Sequence, residues 1–193
     1  MSFLKSALCF IVAAFIFSLV SAPGIASTPI VNLKTNPNGE KNVNASIIIN
    51  APTNVVWGIV TDYNNFTSFL PGIKQFTITQ NAGSNKKVNM KIDLSRLMRA
   101  FNCQVNLNEN SSAKSVVMTR TSGDFNSLKL SFSIKPLDNG TKTMLNYIVN
   151  VDHGNGIPSG FANKALTSNA SKMLTAIDSL AIKKYSSQKL ASK

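Results

Sequence analysis

Residues 157–185 read IPSGFANKALTSNASKMLTAIDSLAIKKY, and the spacing predicts one long helix from Ile157 to about Tyr185. Pro158 suits a first helical turn, and neither glycine nor proline follows Gly160 within the run. Phe161, Ala165, Leu166, Ala170, Met173, Leu174, Ile177, Leu180 and Ala181 recur at three- and four-residue steps and share one face. Asn163, Lys164, Ser168, Lys172, Asp178 and Lys183 are assigned to the opposite, polar face. At about 1.5 Å per residue such a helix runs roughly 40 Å, so its apolar stripe needs a broad covering surface.

The residues before it supply that surface as alternating strands. Ala45, Ile47 and Ile49 alternate with Asn44, Ser46 and Asn50, although Ile48 breaks the polar face, and Ala51-Pro52-Thr53 stops the strand. Thr53 or Asn54 is placed to cap a helix through Val55, Val56, Trp57, Ile59 and Val60. Asp62-Tyr63-Asn64-Asn65 interrupts it, a second short helix holds Phe66, Phe69 and Leu70, and Pro71-Gly72 ends that one. Strands follow around Phe76 and Ile78, Val88 to Leu94, Leu97 to Leu107, Val116 and Met118, Leu128 to Ile134, and Met144 to Val151. One-face-apolar strands joined by short turns mean an antiparallel sheet with one wet face. The predicted class is α+β: a curved antiparallel sheet of about seven strands wrapped around the C-terminal helix, with two short helices after strand one.

The ends of the chain read differently. Lys5 and the apolar run Ala7 to Val20, followed by Gly24-Ile25-Ala26, have the pattern of a signal peptide. The run is shorter than the roughly 20 residues of a membrane span, and an uncleaved anchor is the alternative. Removal of residues 1–26 leaves 167 of the 193 residues and predicts export to the periplasm or the medium. Residues 27–42, with Pro29, Pro37 and Gly39, read as a flexible lead-in; 43–186 form the domain and 187–193 a basic tail. Without the leader, Cys103 is the one cysteine, which excludes an internal disulfide.

Charge is strongly positive, with 20 Lys and Arg against 8 Asp and Glu. The basic residues are scattered singly, which argues against a nucleic-acid groove and is compatible with peripheral contact with an anionic membrane surface. Catalytic sets are missing from the sequence: His153 is the single histidine, no His/Cys cluster has metal spacing, and no glycine-rich phosphate loop or close carboxylate pair occurs. No metal and no cofactor are expected.

The stretch INAPTNVVWGIVTDYNNFTSFLPGIK (49–74) resembles the opening of the START-like polyketide cyclase/dehydrase and lipid-transport families, including coenzyme-Q-binding relatives. The matching residues are Pro52, Val56, Trp57, Asp62, Tyr63, Phe69, Leu70, Pro71 and Gly72. SGDFNSLKLSFSIKPLDNGTKTMLNYIVNVD (122–152) is similar to the family's last three strands, although Phe132 stands where relatives often carry tryptophan. The resemblance covers Asn44 to Tyr185 and implies a helix-grip fold. Residue types alone leave a ligand pocket and a solid core both open; the resemblance favours the pocket. Met90, Phe101, Met118, Phe132, Phe161, Met173 and Ile177 are then its candidate lining, with Arg120 and Tyr147 as polar groups. The expectation is a monomeric carrier or sensor for a hydrophobic small molecule or lipid. A cyclase/dehydrase-type enzyme and an envelope interaction module with a filled core are the alternatives.

Overall fold

Alternation of apolar and polar residues builds almost everything in this fold. The computed structural model describes residues 27–94, 99–154 and 158–191; the leader expected over 1–26, and Leu97 and Ile157 as element starts, lie outside them. In chain order come β1 (Ile30–Thr35), β2 (Lys41–Ile49), α1 (Thr53–Val60), a 3₁₀ turn (Tyr63–Asn65) and α2 (Phe66–Phe69). Strands β3 (Ile73–Ala82), β4 (Asn85–Ile92), β5 (Phe101–Asn110), β6 (Ser115–Gly123), β7 (Ser127–Leu137) and β8 (Lys142–Asp152) follow, and α3 (Ser159–Ala191) closes the chain.

The described strands form one antiparallel sheet in the order β1-β2-β8-β7-β6-β5-β4-β3. Its inner face carries Val43, Ala45, Ile47 and Ile49 of β2 and Leu145, Tyr147, Val149 and Val151 of β8, all buried. Leu128, Phe132 and Ile134 of β7 and Phe101, Cys103, Val105 and Leu107 of β5 continue it. Polar side chains take the outer face, where Asn42 donates to Asn150 and Asn44 donates to Asn42. Helix α3 packs on β1, β2 and α1 through Ala170, Met173, Leu174, Ile177 and Ala181.

Four expectations need correction. The stretch that reads as a flexible lead-in holds β1, which brings the expected sheet of about seven strands to eight described ones. Val31 and Leu33 point inward from it, and it pairs with β2 from Ile30↔Ser46 to Thr35↔Lys41. Pro37 and Gly39 therefore belong to a tight β1–β2 turn, closed by Asn36 N–H donating to the Glu40 carbonyl at 2.8 Å. The expected basic tail is the end of α3, which runs to Ala191, and Lys189 lies 4.5 Å over the Tyr185 ring. Helix α1 is capped by Pro52, whose carbonyl accepts from Val55 N–H at 3.0 Å, and by no side chain. Asp178, assigned to the polar face, is completely buried.

Turn chemistry fixes the register. Gly123 ends β6 at φ 118°, where a Cβ would sit 2.3 Å from the Asn102 carbonyl oxygen and 2.8 Å from Cys103 Cα. That close approach lets Asp124 take the Asn102 N–H at 2.7 Å and both guanidinium nitrogens of Arg99 at 3.0 and 3.3 Å. These bonds hold the Asp124 carboxyl below the usual carboxylate range. Gly123→Ala is expected to lower the unfolding free energy by about 2 kcal/mol in urea titrations, through strain plus backbone displacement. A loss under about 0.5 kcal/mol would show that this crossing of β5 and β6 yields freely.

Candidate functional site

Under the first half of α3 the packing leaves a cavity of about 60 Å³. Leu166, Asn169, Ala170 and Met173 of α3 form its roof, and Leu128, Leu130, Tyr147, Val149 and Val151 of β7 and β8 form its floor. Val43, Ile73, Ile92, Leu94 and Phe125 close the sides. The floor follows from strand alternation, since every second residue of β7 and β8 points the same way. The roof follows from helical spacing, with the small Ala170 leaving room beside Met173. Wider grooves of about 350 and 280 Å³ lie elsewhere on the surface, but Lys86, Lys87, Asn106 and Asn108 edge one and Asn44, Ser133, Lys135 and Asn146 the other. They lack an apolar enclosure.

Among the described residues two polar side chains reach the cavity, Tyr147 and Asn169. Burial pushes the Tyr147 phenol above its ordinary range, so it stays a neutral hydroxyl at physiological pH. Its ring leans on Phe132, with centroids 5.0 Å apart. Asn169 is held beside the Pro71-Gly72 turn: a Cβ on Gly72 (φ 85°) would lie 2.8 Å from Asn169 Nδ2 and 2.9 Å from the Asp93 carbonyl oxygen. The Gly72 carbonyl accepts from Asp93 N–H at 2.7 Å, so the turn after α2 is stitched to the end of β4. Glycine at 72 thus lets three segments meet at one edge of the cavity.

The same α1–α2 segment is pinned at its other end. Tyr63 donates its hydroxyl to Glu109 Oε2 at 2.9 Å, stacks with Phe76 at 5.9 Å, and lies beneath Lys86 Nζ. Burial, then the Glu109 carboxylate, raises the Tyr63 phenol above its ordinary range. The Asp-Tyr break between the helices is therefore an anchor, with no access to the cavity lining.

Of the nine candidate residues, Tyr147 and Met173 line the cavity. Phe132 supports Tyr147, and Phe101 stacks at 4.9 Å on Phe125, which does line it. Met90, Met118 and Ile177 are buried in the same core but lie outside the lining. Phe161 is half-buried and outside the core cluster; its neighbour Ala162 takes the buried position. Arg120 does sit on the inner-face register, opposite buried Val105, but its Nη2 donates at 3.0 Å to the Gly123 carbonyl and it does not reach the lining. Its charge lies near Cys103, whose thiol burial nevertheless pushes up to about 11. Among the lining residues that the candidate set omits, Leu128, Leu130, Leu166 and Ala170 carry the alternation or helical-spacing signal, whereas Asn169 is polar and Phe125 lies in the bend between β6 and β7. What the sequence lacks is any mark of where along those faces the space opens.

The comparisons agree with this architecture. The family model described as polyketide cyclase / dehydrase and lipid transport matches residues 49–178. No curated protein matches the chain in sequence. Among solved structures, the chain is similar to the Zhui aromatase/cyclase from Streptomyces sp. R1128, with a TM-score of 0.65 and 13% identity over 74% of this chain and 93% of that one. A START superfamily protein from Mycobacterium smegmatis matches with a TM-score of 0.62 and 16% identity, over 72% of this chain and 94% of that one. A STAR-related lipid transfer protein from Xanthomonas axonopodis matches with a TM-score of 0.61 and 12% identity, over 78% and 98%. At these identities the likeness speaks to the fold, which is START-like helix-grip, while the family match spans more than half of the chain. The chain belongs to the polyketide cyclase / dehydrase and lipid transport family.

Proposed function

We propose that this protein binds one hydrophobic small molecule or lipid, without transforming it, in the space between the first half of α3 and strands β7 and β8. The observation that carries this reading is the lining itself: among the described residues, twelve apolar side chains with Tyr147 and Asn169 as the two polar ones. An apolar enclosure with few polar groups suits a ligand with a long apolar body and a single hydrogen-bonding end. Among the described residues the lining holds no carboxylate, imidazole, amine or thiol, and a neutral phenol held above its ordinary range is a poor acid or base near pH 7. Binding is therefore better supported than cyclase or dehydrase chemistry. We also propose export to the periplasm or medium, action as a monomer, and peripheral contact of the lysine-rich surface with anionic membrane.

A cavity of about 60 Å³ is well below the roughly 300 Å³ at which ligand pockets begin. Occupation accordingly requires Met173 and Leu166 to re-pack, and an unbranched thioether side chain does this at low cost. Titration with a fluorescent long-chain acyl probe tests the reading. One saturable site is expected, with probe emission shifted as in an apolar medium and competition by unlabelled lipid. Absence of saturable uptake across acyl, sterol and quinone probes would reject it.

A further inference from the structure

Alternation gives β2 five inward positions, and the first of them carries a lysine where the others carry Val43, Ala45, Ile47 and Ile49. Lys41 is 4% exposed and is the one buried basic side chain among the described residues. Its Nζ donates to Ser159 Oγ at 2.7 Å and to Thr35 Oγ1 at 3.1 Å, both neutral acceptors. Among the described residues no carboxylate meets the ammonium. Glu40, its chain neighbour, accepts from Asn36 and Ser127. Asp152, next to its register partner Val151, accepts from Asn126 and Gly154. A buried cation without a countercharge is costly. An ammonium has three N–H groups and no lone pair, so one N–H of Lys41 is left, and each hydroxyl that accepts from it keeps its own proton to give. Among the described residues neither Ser159 nor Thr35 gives that proton away. Three donors thus meet here with no acceptor between them. Ser159 and Thr35 are exposed, so the cluster sits at the rim of the fold. It also adjoins the cavity: Lys41 stands two residues, roughly 7 Å, from Val43 on the same face and pairs with Val151, and both valines line the space.

We infer that Lys41, Ser159 and Thr35 hold the carboxylate of a long-chain acid whose apolar body fills the cavity under α3. The inference rests on the binding reading above and adds to it the charge of the ligand and the direction in which it lies. The carboxylate takes the remaining N–H of Lys41 and the two hydroxyl protons, and the ammonium supplies its countercharge. One cation matches a singly charged carboxylate better than a doubly charged phosphate. The head then stays at the exposed rim, and the chain runs inward past Val43 and Val151 toward Met173. An ester or alcohol of the same length offers an oxygen but no charge, and leaves Lys41 without its counterion.

The test compares palmitate with methyl palmitate, each displacing the fluorescent acyl probe from the full chain and from its Lys41→Met variant. Palmitate is expected to bind the unsubstituted protein at least about tenfold tighter than the ester, the scale of a hydrogen bond between charged groups. Lys41→Met should erase that preference by weakening palmitate alone, with the ester kept within about twofold. Equal affinity for acid and ester in the unsubstituted protein, or a preference that survives Lys41→Met, overturns the assignment to Lys41 and leaves the cavity as the binding site. Binding of neither compound overturns the cavity reading and this inference together. If Lys41→Met does not fold, the carbon NMR signal of carboxyl-labelled palmitate on the unsubstituted protein decides. An ammonium beside the bound acid holds its titration below the ordinary carboxylic range, which supports the site. Titration at or above that range means that the head lies in the apolar space without the cation, and overturns it.

Discussion

Replacing Leu174 by alanine is expected to lower the unfolding free energy by about 3–5 kcal/mol, the range for a fully enclosed leucine whose site cannot collapse. Leu174 has no exposed surface and sits midway along the buried face of α3, flanked by Ala170, Met173, Ile177 and Ala181. Alanine at two of the flanking positions leaves no longer side chain there to swing into the gap. On the other side, β1, β2 and α1 are fixed by strand pairing and by their own burial. The thermal midpoint should fall by roughly 10 °C with the urea slope unchanged. A loss below about 1 kcal/mol would mean that α3 is not gripped by the sheet as described.

Replacing Leu166 by tryptophan should weaken the acyl probe at least about tenfold, or about 1.4 kcal/mol, while the thermal midpoint moves by only a few degrees. Leu166 lines the cavity but is only partly buried, so the larger ring can occupy the free space without being forced into closed packing. Phe161→Trp serves as the control. That residue lies a little over one turn earlier on α3, half-buried and outside the lining, and its replacement should leave the affinity within about twofold. Equal loss from both substitutions would move the ligand away from the proposed space.

Much of this fold is legible in the residues because alternation is strict where one face is wet. Leu128, Leu130, Phe132 and Ile134 against Lys129, Ser131, Ser133 and Lys135 admit one reading, and the structure has it. Strand β1 is harder to see, because Ile30 to Leu33 is a short run between Pro29 and Pro37, and its Ile30 is exposed. Its inward pair, Val31 and Leu33, gains meaning only once β2 is beside it. Asp178 is the instructive error. Four residues after Leu174 and three before Ala181, it lies on the buried face by spacing, although its charge suits the polar one. The cavity was the least legible feature. Its position depends on where the helix stands off from the sheet, which Ala170, Asn169 and the Gly72 contact decide together.

The most direct test of the binding claim is native mass spectrometry of the protein purified without detergent from the cells that make it, followed by extraction of whatever is bound. The account predicts one apolar molecule per chain, lost on Leu166→Trp and kept on Phe161→Trp. A mass equal to the bare polypeptide under gentle conditions, with no lipid taken up on incubation with vesicles, would contradict it and leave a filled core as the reading of this fold.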